Sequence, residues 1–198
     1  MNEYIKQIIV GLILGDAYVT PPYGNSRRSM LDIKGDANYL PYLKWLHRGL
    51  NPIGVSELRL KKGYHQYHFI TKTSKEIGDL RRIFYPNGIK TIPDSINSLL
   101  ISPLALAIWY QDDGHLDCRS KYHYNAVFAT HSFSFESCQL LANALQKNFN
   151  LDVRIHKCTM RGKLYYKLYI TSNSMRHFTQ LVKPYIISCF AYKIRKFV

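Results

Sequence analysis

Cysteine is scarce and poorly placed for metal or disulfide chemistry. Cys118, Cys138, Cys158 and Cys189 are the only four in 198 residues, none lies in the first half, and no C-x-x-C pair occurs. That spacing argues against a zinc site and against a secreted disulfide scaffold, and leaves reduced thiols as the expectation. No apolar run approaches the roughly 18–20 residues of a membrane span, and Met1-Asn2-Glu3-Tyr4 lacks the basic-then-apolar pattern of an export signal. The expectation is an intracellular protein that does not enter a membrane. A Gly-rich phosphate-cradling loop is missing, and Ser132 and Ser134 have no His/Asp partner for nucleophilic catalysis. Negative charge is also sparse: 13 Asp+Glu stand against 27 Lys+Arg, a formal charge of +14.

What is present is an ordinary globular composition, 46% hydrophobic and 14% aromatic, which excludes wholesale disorder. The cationic excess therefore belongs to a folded body. It is spread over the chain, with 14 basic and 8 acidic groups in residues 1–98 and 13 and 5 in residues 99–198. A polyphosphate partner explains such an excess through counterion release, whereas a basic protein without that role is the bland alternative.

The chain repeats itself. Ile8 to Ala17 and Ala105 to Gly114 are both apolar segments that close on a carboxylate, and Asp16 and Asp113 are 97 positions apart. Leu50-Asn51 matches Phe149-Asn150 at an offset of 99, Ile70-Thr71 matches Ile170-Thr171 at 100, and Pro86 matches Pro184 at 98. A tandem duplication with small insertions follows, with units 1–98 and 99–198.

Each unit carries the same pattern. After the apolar helix come strand-like segments at 17–23 and 28–35, and at 115–118 and 124–132. Amphipathic helices follow, through Tyr39, Leu40, Leu43, Leu46 and Leu50, and through Leu140, Leu141, Leu145 and Phe149, the second opened by Ser134. Alternating segments 54–61 with 64–71, and 152–159 with 163–170, turn at Lys62-Gly63 and Arg161-Gly162. Final helices span 73–85 and 173–183. The order αββαββα, written twice, predicts an α/β (α+β) protein with antiparallel sheets.

Alternation assigns the faces. Val153, Ile155, Leu164, Tyr166, Leu168 and Ile170 share one side; Arg154, His156, Lys163, Tyr165, Lys167 and Tyr169 share the other. In the first unit Leu58 and Leu60 alternate with Arg59 and Lys61. One such strand is ordinarily a solvated face, but two sheets with aromatics between cations point to nucleic acid, which needs phosphate contacts and base-edge donors. Arg27, Arg28, Lys34, Arg59, Lys61, Lys62, His65, Arg154, His156, Lys157, Lys163, Tyr165 and Lys167 are the candidate DNA-binding residues. His115, His123 and His131 recur at spacing eight, and DNA-facing positions explain them better than a metal site. Trp109 is expected in the core.

Asp16 and Asp113 are the sharpest signal. A carboxylate closing an apolar segment needs solvent, a partner or a metal. If the units pack through these helices, with Gly11, Gly15, Ala105 and Ala107 permitting close approach, the two carboxylates meet at one end. There they repel unless a hard cation lies between them, and oxygen-only ligation suits Mg²⁺. A basic protein holding Mg²⁺ beside phosphates implies phosphodiester hydrolysis.

The segments Gly11-Leu12-Ile13-Leu14-Gly15-Asp16-Ala17-Tyr18 and Leu106-Ala107-Ile108-Trp109-Tyr110-Gln111-Asp112-Asp113-Gly114 resemble the two motifs of single-chain LAGLIDADG homing endonucleases. Lys90-Thr91-Ile92-Pro93, Thr130 to Glu136, and Leu181 to Ile186 leading to Tyr192-Lys193 extend the resemblance over nearly the whole chain. Both motifs depart from the family name before the acidic position, Leu14-Gly15 in one and Trp109-Tyr110-Gln111-Asp112 in the other, but keep the acid itself.

The resemblance implies two αββαββα units joined through the motif helices, with a saddle of strands over the DNA. It makes Asp16 and Asp113 the catalytic, metal-binding carboxylates for Mg²⁺ or Mn²⁺, with the backbone carbonyls of Gly15 and Asp112 completing the shell. Asp113 is preferred to Asp112 because it aligns with Asp16 and precedes Gly114. Lys90 and Lys193 match basic residues near the scissile phosphates. The implied protein is an intron-encoded, double-strand DNA endonuclease, a monomer with internal pseudo-twofold symmetry, sited in a mitochondrion or chloroplast if organelle-encoded and otherwise in cytoplasm. The alternative is a group I intron RNA maturase of the same fold.

Overall fold

The computed structural model describes residues 1–118 and 124–195. The first half runs α1 (Glu3–Leu14), β1 (Tyr18–Val19), β2 (Leu31–Asp36), α2 (Leu40–Leu50), β3 (Arg59–Leu60), β4 (Gln66–Ile70) and α3 (Lys75–Phe84). After a single turn, α4 (Ile96–Leu99), the order recurs as α5 (Pro103–Asp113), β5 (Gly114–Asp117), β6 (Asn125–Phe128), α6 (Phe135–Phe149), β7 (Val153–Met160), β8 (Lys163–Ile170) and α7 (Met175–Val182). The sheets are β1-β2-β4-β3 and β5-β6-β8-β7, antiparallel throughout.

Local chemistry sets the helix ends. Asn2 Oδ1 accepts from the Ile5 amide at 2.9 Å, and Ser102 Oγ from that of Leu104 at 3.2 Å, with Pro103 pre-set for the first turn of α5. Ser74 and Ser134 cap α3 and α6 in the same way. Asn150 closes α6 in the left-handed conformation at φ 52°.

α1 and α5 form the centre. α5 is buried from Leu104 to Gln111, the signature of a helix apolar on every side. A methyl on Gly11 would lie 2.6 Å from the Ala105 carbonyl and 2.8 Å from Ile108 Cβ, so glycine is what lets the two backbones approach. Trp109 is fully buried against Phe128, ring centroids 4.1 Å apart, a core residue as expected.

Helices cover one face of each sheet and leave the other open. β7 and β8 follow the expected spans, but the first-unit hairpin does not. Only Arg59–Leu60 of 54–61 is a regular strand; Val55 forms an isolated bridge with Thr71, and at Ser56 the amide donates to the Ile70 carbonyl at 2.9 Å while Oγ, rather than the carbonyl, accepts the Ile70 amide at 3.0 Å. Residues 17–23 contribute only Tyr18–Val19. Leu60 and Leu164, assigned to the covered face, are 56% and 53% exposed, each beside the turn that joins its hairpin.

Candidate active site and nucleic-acid interface

Asp16 follows the Gly15 cap of α1 and Asp113 ends α5, so helix packing delivers both carboxylates to one end of the central interface. Asp16 is exposed there, while Asp113 is half-buried. Burial pushes the Asp113 carboxyl up to about 6, with repulsion from Asp16 as the second cause, opposed by the ammonium groups of Lys90 and Lys193. Among the described residues no cluster of three or more His, Cys, Asp or Glu side chains could hold a metal. The oxygens of Asp16 and Asp113 at this end are a donor set of the kind a hard cation takes, with carbonyls, water and substrate phosphate completing its shell.

Both lysines reach the same end. Lys90 Nζ donates to the carbonyls of Leu14 (3.2 Å) and Gly15 (2.8 Å), and Lys193 Nζ to those of Tyr110 (3.3 Å) and Gln111 (2.6 Å). An ammonium at a helix C-terminus is favoured by the helix dipole. Burial lowers both pKa values, that of Lys193 to about 8, while the three aspartates pull them back up. The pairing is not symmetric: with Gly15 equivalent to Asp112, Lys90 sits one residue closer to its carboxylate than Lys193 does. Of the two carbonyls expected to ligate metal, that of Gly15 thus already accepts from Lys90, with a second lone pair remaining.

Asp112 departs most from expectation. Its side chain points into the helix interface, where Oδ1 accepts from the Tyr42 hydroxyl at 2.8 Å and Oδ2 from the Asp16 amide at 3.3 Å. Burial, then repulsion from Asp16, pushes its carboxyl up to about 8. Gln111, unremarked in the sequence, is buried and ties α5 to the C-terminal segment. Its Nε2 donates to the Tyr185 carbonyl at 3.2 Å and its Oε1 accepts the Ile187 amide at 2.8 Å. A buried glutamine in an apolar helix is itself a signal that such a partner exists.

The expected DNA-binding residues divide by strand register. Lys34, His68 and Arg59 lie side by side on the open face of the first sheet. On the second, Arg154 pairs across with Tyr169, His156 with Lys167 and Cys158 with Tyr165, with Lys163 at the far end. His156 and Tyr169 rings stack at 4.2 Å, making a flat platform between cations. Lys61, Lys62 and His65 belong to the exposed β3–β4 turn, Lys61 over the Tyr64 ring at 4.5 Å and His65 3.4 Å from Asp36. Arg59 pairs with Glu57 at 2.9 Å and Arg154 with Asp152 at 3.6 Å, exposed pairs that cost little to exchange for phosphate.

Two of the expected DNA-binding residues, both exposed, lie off the open sheet faces. Lys157 lies opposite Tyr166 on the helix-covered side, since an odd position on β7 cannot share a face with Arg154 and His156. Arg28 is exposed, but its guanidinium donates to the Thr73 carbonyl at 2.7 Å, so it braces the loop between β1 and β2; Arg27 beside it is exposed. Of the three histidines, His115 is on β5, His131 packs edge-on against Tyr165, and His123 lies outside the described residues.

Residues 6–178 match the model of the LAGLIDADG DNA endonuclease family. The chain is 27% identical to a cytochrome b mRNA maturase, bI2, of Debaryomyces hansenii, over all of this chain and 76% of that one. It is likewise 27% identical to the DNA endonuclease I-ChuI of Chlamydomonas applanata, over 98% and 95% of the two chains. The solved structure of the homing endonuclease I-WcaI bound to its DNA recognition sequence superposes with a TM-score of 0.83 at 25% identity, covering 98% of this chain and 86% of that one. The two sheets, the paired helices and the match over most of the sequence agree: the chain belongs to the LAGLIDADG DNA endonuclease family.

Proposed function

We propose that this protein cuts both strands of a specific DNA site, as a monomer whose units 1–98 and 99–198 supply one carboxylate each. The observation that carries the reading is the meeting of Asp16 and Asp113, with Lys90 and Lys193, at one end of the α1–α5 interface. Asp16 and Asp113, with the carbonyls of Gly15 and Asp112, are the groups that would hold Mg²⁺ or Mn²⁺. Such an ion supplies Lewis-acid stabilisation of the phosphate and a more acidic water. The chain's own work is to position the DNA and its phosphates. The open sheet faces dock the duplex through Lys34, Arg59, Arg154, Lys163 and Lys167, while His156 and Tyr165 offer base-edge or stacking contacts. The ammonium groups of Lys90 and Lys193 stabilise charge that grows on the reacting phosphate, and so act on rate more than on binding.

Incubation with Mg²⁺ and a randomised DNA library, followed by sequencing of cut ends, tests the reading. One recurrent cleavage sequence is expected, and the absence of any cut with either Mg²⁺ or Mn²⁺ contradicts it. Similarity to a maturase favours a second role, binding of its own group I intron RNA, which a splicing assay with that RNA would detect. The setting is intracellular, in a mitochondrion or chloroplast if the gene lies there.

A further inference from the structure

The two halves of the site are not copies of one another, and the difference is concentrated in one place. The residue before the catalytic carboxylate is Gly15 in the first unit and Asp112 in the second. A methyl built on Gly15 would lie 2.6 Å from Asp112 Cβ and closer still to its carboxyl oxygen, so the Asp112 side chain fills the room that glycine leaves. From there it crosses to the other unit, where its two oxygens accept from the Asp16 amide and the Tyr42 hydroxyl. Tyr42 is buried on α2, its ring beside Trp45 and edge-on to Phe190 at 5.2 Å. The repeat offset of 99 that relates α2 to α6 places Leu141 opposite Tyr42, and leucine has no donor. The second unit thus supplies a carboxyl group and the first a hydroxyl to this contact, and neither has its symmetry mate.

We infer that Asp112 is a positioning residue: gripped by Tyr42, it fixes the main chain of Asp16 across the interface and makes the two strand-cutting half-sites inequivalent. A carboxyl group accepting two donors is held in plane and in rotation, and the amide it holds belongs to the residue whose own carboxylate must be placed. Asp113 receives no such tether from the first unit, because Gly15 has no side chain to give one. The Lys90 bond to the Gly15 carbonyl works in the same direction, pinning the peptide before Asp16 from its other side.

The inference rests on Asp16 and Asp113 as the cutting pair, and its test keeps the two apart. Asp112→Asn preserves size but turns an NH₂ group toward one of the two donors; Tyr42→Phe removes one donor and keeps the ring packing. Single-turnover cleavage of a target labelled on both strands is followed for each variant. In parallel, the Asp16 amide is observed by nitrogen–proton NMR without metal. Both variants are expected to slow the same strand about tenfold or more beyond the other, since a displacement of about 1 Å costs up to about a hundredfold. Nicked DNA accumulates, and the Asp16 amide proton signal moves in Asp112→Asn as its acceptor is altered. The double variant is expected to be no worse than Asp112→Asn alone. Equal slowing of both strands, or wild-type rates with an unmoved Asp16 amide, overturns the inference. If Asp112→Asn does not fold, the strand bias of Tyr42→Phe decides. If the wild-type protein cuts neither strand, the cutting pair falls, and the amide signal in the variants alone decides the tether.

Discussion

The carboxyls of Asp112 and Asp113 hold their protons to about pH 8 and about pH 6, against an ordinary 3.8, chiefly because burial penalises the charge. A group whose pKa rises on folding stabilises the folded state fully below its unfolded pKa and loses that contribution as pH rises through the folded value. Stability of the metal-free protein from this pair therefore falls between about pH 4 and about pH 8. Lys193, lowered to about 8, acts only above that window, where its effect has the opposite sign. Melting in EDTA from pH 5 to pH 8 is expected to show a smaller decline for Asp112→Asn than for wild type; identical slopes would mean that Asp112 is already ionised when folded. Lys90→Met and Lys193→Met are each expected to slow cleavage by about tenfold to a thousandfold, the range for losing one electrostatic group, with DNA affinity little changed. Wild-type rates would return both lysines to a purely structural role at the helix ends.

The central element pair depends on Gly11. Replacing it with alanine favours helix by about 1 kcal/mol in isolation. Here the added methyl meets the Ala105 carbonyl, a backbone atom that cannot turn away, and overpacking of this kind costs about 1–3 kcal/mol. Gly11→Ala is therefore expected to lower the urea midpoint with an unchanged m-value, and a gain in stability would refute the close packing. These helices were legible in the sequence because an unbroken apolar segment closing on Asp appears twice at a fixed offset. So were β7 and β8, whose strict alternation survives in the register Val153↔Ile170 to Met160↔Lys163. The hairpin 54–71 was not, since a side-chain hydroxyl at Ser56 replaces a ladder bond and no alternation pattern reports that. Alignment with Asp16 already set Asp113 apart from Asp112 in the sequence, but not what Asp112 does; only the packing of α1 on α5 shows its side chain turned into the interface.

At the scale of the whole molecule, a formal charge of +14 with cations on both open sheet faces predicts binding that weakens steeply with salt, each neutralised phosphate adding about 0.9 to the log–log slope. Arg59→Ala and Arg154→Ala, one on each sheet, are each expected to reduce that slope by about 0.9, and a slope near zero in the wild-type titration would remove the sheets from the interface. Among the described residues no helix is long and apolar enough to cross a membrane. In the proposed function Asp16 and Asp113, one from each half, together cut the DNA that these faces hold. This role is tested most directly by measuring double-strand cleavage and DNA affinity for Asp16→Asn and Asp113→Asn with Mg²⁺. Loss of double-strand cleavage with affinity retained or increased is the expected result; either variant cutting both strands at near wild-type rate would contradict it.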